Sequence, residues 1–194
     1  MNRTGIFLDR DGTINEESDY LSSPLDLHLI PGAAEAIREA NESGFKVVII
    51  TNQSGIARGI LTEERLSEIH SALVSTLAAE HATIDGIFYC PHHPDFGEPP
   101  YRAACDCRKP GTGMIDAAVK RFGIDIGKSF VIGDRMIDVQ TGNNSGATSI
   151  LVLTGYGRQE LELCRLNSVP IGHVAEDLLD AIHYVKQTFQ QVVS

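Results

Sequence analysis

Hydrophobic positions along the chain alternate between short apolar runs and stretches of helical spacing. Residues 5–9 (GIFLD) form an apolar run of the kind that makes a buried strand, and residues 46–51 (KVVIIT) are β-branched and apolar on both faces, as a central parallel strand must be. Residues 85–89, 129–133 (SFVIG) and 148–153 repeat the strand signal. Between them the spacing turns helical. Residues 31–43 (PGAAEAIREANES) carry Pro31 in the first turn and Gly44 as a stop. Thr62 can cap a helix running to about residue 80, with Glu63 and Glu64 favourable in its first turn. Thr112 caps a further helix to about residue 122, another runs over about 136–143, and an amphipathic helix ends the chain from 177 to about 193. Residues 90–110 hold five prolines and one glycine and read as irregular, while 156–169 match no clear element and read as surface loop with a short helix.

Strands alternating with helices predict an α/β fold on a mainly parallel sheet, and the whole of 1–194 reads as one domain without repeat or linker. In such folds ligands bind beyond the carboxyl ends of the strands. The residues there are Asp9-Arg10-Asp11-Gly12 after the first strand, Thr51-Asn52-Gln53-Ser54 after the second, and Asp134-Arg135 after the fourth. All are types that phosphate chemistry uses.

Charge narrows the partners. A net charge of -10 argues against nucleic acid or an anionic membrane, which need a basic footprint. A small phosphorylated ligand needs only a few local cations, and Arg10, Arg58, Arg108, Lys109 and Arg135 fall in the segments of interest. No leader and no apolar stretch near the ~20 residues of a membrane span is visible, so a cytoplasmic protein is expected. A monomer is the expected state.

Asp9 and Asp11 lie two apart just beyond a strand. Paired carboxylates take different roles when their environments separate their pKa values, and a carboxylate can itself attack phosphorus. Gly12 would let a turn bring backbone N–H groups toward a phosphate. On its own, D-x-D-G reads equally as a surface turn. The second cluster is Cys90-Pro91-His92-His93-Pro94 followed, twelve residues after His92, by Cys105-Asp106-Cys107-Arg108-Lys109-Pro110. Three cysteines and a histidine suit a closed tetrahedral zinc site in a reducing compartment; buried structural cysteines are the plainer reading. Cys164 has no partner in sequence and reads as a buried or incidental thiol.

The string from Phe7 to Asn15 resembles the first signature of the haloacid dehalogenase superfamily. Thr51 at the end of an apolar strand, Lys109 in Arg108-Lys109-Pro110, and Gly133-Asp134-Arg135-x-x-Asp138 resemble its other three signatures, in order, over roughly residues 5 to 155. The cysteine loop, residues 90–107, resembles the zinc-binding phosphatases of the histidinol-phosphate phosphatase type, and its long insert is more similar to the heptose bisphosphate enzymes within that group. The resemblance implies a three-layer Rossmann-like fold with no large cap domain and an open site. It implies that Asp9 attacks phosphorus and that Asp11 is general acid and base. Thr51 and Lys109 would bind phosphoryl oxygens. Asp9, the Asp11 carbonyl and Asp134 would hold magnesium, and Cys90, His92, Cys105 and Cys107 structural zinc. Asp138 would brace the loop rather than touch the metal. Contacts to a phosphorylated sugar would fall on Glu17, Ser18, Asp19, Tyr20, Asn52, Gln53, Ser54, Arg108 and Arg135. Arg10 is either a further substrate contact or, preferably, a solvated surface charge.

Overall fold

The computed structural model describes residues 3–193. Six parallel strands form one sheet in the order β3-β2-β1-β4-β5-β6. They are β1 (Gly5–Leu8), β2 (Lys46–Asn52), β3 (Gly86–Cys90), β4 (Phe130–Gly133), β5 (Thr148–Val152) and β6 (His173–Ala175). The helices are α1 (Ala33–Glu42), α2 (Glu63–Ala79), α3 (Gly113–Phe122), α4 (Met136–Ser145), α5 (Gly157–Leu166) and α6 (Leu178–Val193).

Strand alternation sorts the core into two layers. Ile6 and Leu8 of β1 and Val47 and Ile49 of β2 pack with Ile37 of α1, Leu73 and Leu77 of α2, and Ile182 and Val185 of α6. The intervening Phe7, Val48 and Ile50 pack on the other face against Met114, Ile115 and Ala118 of α3. A sheet buried on both faces needs strands apolar at successive positions, which is why the β1 and β2 runs show no polar alternation. The chain builds outward from β1 to β3 and then returns to place β4 on the other side of β1. That reversal opens a crevice at the carboxyl ends of β1 and β4, where open parallel sheets bind ligands.

Three local expectations change. Pro31 lies before α1, not in its first turn, because Gly32 supplies the N-cap with a left-handed φ of 83°. Thr112 holds the N-cap position of α3, but its side chain makes no cap bond; its hydroxyl donates to Asp116 Oδ2 at 2.9 Å instead. Residues 156–169 carry α5, and β6 beyond them extends the sheet. The buried face of α5 is narrow: Leu161 and the fully buried Cys164 pack on Val139 and Leu151. The helix is amphipathic but mostly polar, so few apolar residues mark it in the sequence.

Gly157 seats α5 against the sheet. A Cβ there would lie 1.8 Å from the Val152 carbonyl oxygen, which is backbone and cannot turn away. Gly157→Ala is expected to destabilise the protein by about 1–3 kcal/mol, read as a lower denaturant midpoint. An unchanged midpoint would show that α5 is free to shift.

Candidate active site

Asp9 follows β1, and its backbone N–H is held by the Ile132 carbonyl of β4 at 2.9 Å. Its Oδ1 accepts from the Arg10 N–H at 2.7 Å and pairs with Lys109 Nζ at 2.8 Å. The Lys109 ammonium also reaches Asp138 Oδ1 at 2.6 Å and the Ile50 carbonyl at 3.2 Å. The second Asp138 oxygen accepts from the Arg135 N–H at 3.0 Å, so this carboxylate is spent on bracing the loop and Lys109. The Lys109 backbone is itself clamped to the end of β2: its N–H donates to Asn52 Oδ1 at 3.0 Å, and Asn52 Nδ2 donates to its carbonyl at 3.3 Å.

Asp134 is fully buried after β4. One oxygen accepts from the Tyr156 N–H at 2.9 Å, while Oδ1 has no partner. Glycines on either side let the backbone close on it: a Cβ at Gly12 (φ 78°) or at Gly155 (φ 53°) would lie 2.3 Å from Asp134 Oδ2. Oxygens of Asp9, Asp134 and Asp138 all lie within 4.8 Å of one another. Three carboxylates face one ammonium. Burial, then the charges of Asp9 and Asp138, pushes the Asp134 carboxyl up to about 8. Burial raises Asp9 to about 6 against the pull of Lys109. Burial would lower Lys109, but Asp138 and Asp9 outweigh it and raise its pKa. The cluster lacks positive charge, and an orphaned buried carboxylate oxygen suits a hard, oxygen-binding cation.

Asp11 has the opposite environment. Its oxygens accept from Arg10 Nε at 3.0 Å and Nη2 at 2.8 and 2.6 Å, Asn15 Nδ2 at 3.0 Å and Gln53 Nε2 at 3.1 Å. Burial opposes ionisation, yet Arg10 and the amide donors hold its carboxyl below the ordinary carboxylate range. Arg10 is therefore not a solvated charge. It is 1% exposed and absent from the cavity wall, because Asp11 and His70 Nε2, 3.3 Å from Nη1, replace the water around its guanidinium.

These groups open on a cavity of about 540 Å³. Asp9, Asp11, Thr51 and Lys109 lie at its floor, with Glu17, Asp19, Tyr20, Asn52, Gln53, Ser54, Arg108 and Arg135 around it; Ser18 is exposed and outside it. Thr51 Oγ1 accepts from Gln53 Nε2 at 3.0 Å. One wall is a linked set: Arg135 pairs with Glu17 at 3.3 Å and lies 4.3 Å over the Tyr156 ring, whose hydroxyl donates to Asp19 at 3.3 Å. Tyr156, Gln159 and Glu160 also line the cavity and were missed in the sequence. Their signal was there, since Tyr156 lies just beyond the carboxyl end of β5.

Beside the cavity, Cys90, His92, Cys105 and Cys107 converge, with sulfur–sulfur distances of 3.5, 3.1 and 3.2 Å and His92 Nδ1 3.7 and 3.4 Å from Cys90 and Cys107. All four cysteines are free, and these spacings are near the ~3.8 Å edges of a tetrahedral zinc–thiolate site. His93 turns elsewhere, against Phe96 at 4.7 Å. Arg108 Nη1 donates to the His92 carbonyl at 3.2 Å, tying the cluster to the cavity wall.

Residues 106–181 match the HAD-hydrolase-like family model. The chain is 42% identical over 183 residues to D-glycero-D-manno-heptose-1,7-bisphosphate 7-phosphatase of Chlorobaculum tepidum, covering 91% of each chain. It is also 42% identical over 151 residues to the corresponding Escherichia coli K12 enzyme, covering 77% of this chain and 79% of that one. Among solved structures, D,D-heptose 1,7-bisphosphate phosphatase from B. bronchiseptica, complexed with magnesium and phosphate, superposes with a TM-score of 0.84 at 35% identity, covering 97% and 99% of the two chains. The chain therefore belongs to the heptose-1,7-bisphosphate 7-phosphatase family of haloacid-dehalogenase-like hydrolases.

Proposed function

We propose that this chain is a magnesium-dependent phosphatase that removes the 7-phosphate of D-glycero-D-manno-heptose 1,7-bisphosphate through an aspartyl-phosphate. The observation that carries the reading is the pair Asp9 and Asp11, two residues apart on one cavity floor, with Lys109 on Asp9, the Arg10 fork on Asp11 and the partnerless buried oxygen of Asp134 beside them. The names of its relatives support the substrate.

In this reading Asp9 Oδ1 is occupied by Lys109 and the Arg10 N–H, which leaves Oδ2 to attack phosphorus. The new Oδ2–P bond replaces the bond from phosphorus to the sugar oxygen; Asp11 takes up a solvent proton as the negative phosphate enters beside it and gives that proton to the leaving alkoxide. The ionised Asp11 then takes a proton from water as that water attacks phosphorus and frees Asp9 and inorganic phosphate. Lys109 and Thr51 hold the phosphoryl oxygens in place. Arg108 and Arg135 are the cavity cations available to the second phosphate. Asp9, Asp134 and the Asp11 carbonyl would hold magnesium, which supplies the positive charge that the three carboxylates and the phosphate require. Cys90, His92, Cys105 and Cys107 would hold zinc with no open position, so its part is to order the loop before Arg108 and Lys109. The free thiols suit a reducing cytoplasm.

Magnesium-dependent phosphate release from heptose 1,7-bisphosphate is expected to exceed that from histidinol phosphate strongly, with one phosphate freed per molecule and none by Asp9→Asn. Preference for histidinol phosphate would move the substrate, and turnover by Asp9→Asn would remove the mechanism. Zinc should be present at one per chain in freshly purified protein, and Cys107→Ser should lose both the metal and most activity; zinc-free, fully active protein would refute the structural site. A third expectation concerns pH. Asp9 and Asp134 titrate at about 6 and about 8 when folded without metal, against 3.8 unfolded. Between those limits the native state holds more protons than the unfolded state, so metal-free stability falls as pH rises. Magnesium binds the ionised form, so the rise in Tm on adding it should be larger at about pH 8 than at about pH 6. An equal rise at both would mean that these carboxylates do not bind the ion.

A further inference from the structure

Arg10 stands between the two site aspartates in sequence yet turns away from the cavity, and it heads the largest fully buried side chains among the described residues. Its three nitrogens are all engaged: Nε and Nη2 fork onto Asp11, and Nη1 meets His70 Nε2 at 3.3 Å. His70 is out of keeping with its helix. The buried stripe of α2 runs Leu66, Ile69, His70, Leu73 and Leu77, so an aliphatic residue would satisfy the packing at position 70. The imidazole is instead 9% exposed, and burial followed by the Arg10 cation holds it down to about 4, so the ring is neutral and its Nε2 accepts from Arg10. Its other surroundings are the Tyr89 ring, 5.9 Å away, and a surface groove with Val74 and Ile87. Arg10 is its one hydrogen-bonding side chain among the described residues.

A carboxylate turns about two bonds, and a planar guanidinium fork removes that freedom only if the fork is itself held. We propose that His70 is a positioning residue for the reaction: as the acceptor for Nη1 it fixes the Arg10 fork, and the fork aims Asp11 at the leaving oxygen and at the attacking water. Gln53, which donates to both Asp11 and Thr51, holds the carboxylate from the cavity side, so Asp11 is gripped from two directions. The inference rests on the phosphatase reading, since it gives His70 no contact with substrate and no proton to transfer.

His70→Leu completes the apolar stripe of α2 and removes the acceptor, whereas His70→Gln keeps an acceptor. Because misplacement by about 1 Å can lower a rate by roughly a hundredfold, His70→Leu is expected to lose about tenfold or more in kcat with KM changed by less than about twofold. Its melting temperature should stay at or above that of the wild type, and His70→Gln should recover most of kcat. Arg10→Lys keeps the charge but loses the fork, and should repeat the kcat loss at unchanged KM. Wild-type kcat in His70→Leu, or a His70→Gln as impaired as His70→Leu, overturns the proposal. If His70→Leu does not fold, His70→Met replaces it with the same two outcomes. The assays are run beside wild type and Asp9→Asn: a wild type without phosphate release overturns both readings, while full-rate His70→Leu beside an active wild type overturns this one alone.

Discussion

A buried ammonium holds the site together. Lys109 is 3% exposed, and a cation so far from water is tolerable only when it is paired and hydrogen-bonded. Asp9, Asp138 and the Ile50 carbonyl meet that demand, and they come from the end of β1, the start of α4 and the end of β2. The Lys109 interaction thus links three separate parts of the chain at one point. It also sets a condition on the cysteine loop, which must deliver residue 109 to the centre of the sheet edge, where Asn52 holds its backbone. A proline-rich segment with no helix or strand of its own has little intrinsic reason to do so. Four convergent metal-ligand side chains immediately before it would provide that reason.

Lys109 leaves the charge unbalanced. It pairs with two of the three clustered carboxylates, and the deficit falls on the third, Asp134, whose Oδ1 has no donor. Under the proposed function this is useful. A permanently bound set of cations would compete for the phosphate dianion before and after reaction, whereas an exchangeable hard cation neutralises the cluster while leaving coordination open to substrate oxygens. The glycines at positions 12 and 155 give Asp134 its burial, since any side chain at either would occupy the space of its carboxylate.

A second buried cation does contrasting work directly after the first aspartate. Arg10 is spent on Asp11 and His70, so Asp11 is stabilised as a carboxylate while Asp9 is pushed the other way by burial. Two aspartates separated by one residue thereby have different surroundings; the raised Asp9 belongs to the metal-free cluster, and a cation held by Asp9 and Asp134 would lower it toward the ionised form that a nucleophile needs. The alternation of a short strand-like turn makes the different surroundings possible. Asp9 and Asp11 face the cavity, and the residue between them points into the body of the protein, beneath α2.

Much of this was legible in the chain. The strand–helix alternation stated the fold class, because a sheet covered on both faces requires uninterrupted apolar strands and says so locally. The polar residues that follow those strands stated the chemistry, because their position at the carboxyl edge is a consequence of parallel topology alone. Tyr156, Gln159 and Glu160 were missed as cavity wall although Tyr156 follows β5, because α5 is mostly polar and its place beside the crevice is set by packing. Arg10 read as a solvated charge because arginine usually is one; that it is buried depends on His70, sixty residues away, and no pattern within either segment records the other. Sequence alone determined the fold class and brought the aspartates, Thr51 and Lys109 to one sheet edge, through short-range periodicity and motif order. Tertiary structure decided which of them face the substrate and which face each other, because burial and charge pairing are set by contacts between segments that only folding brings together.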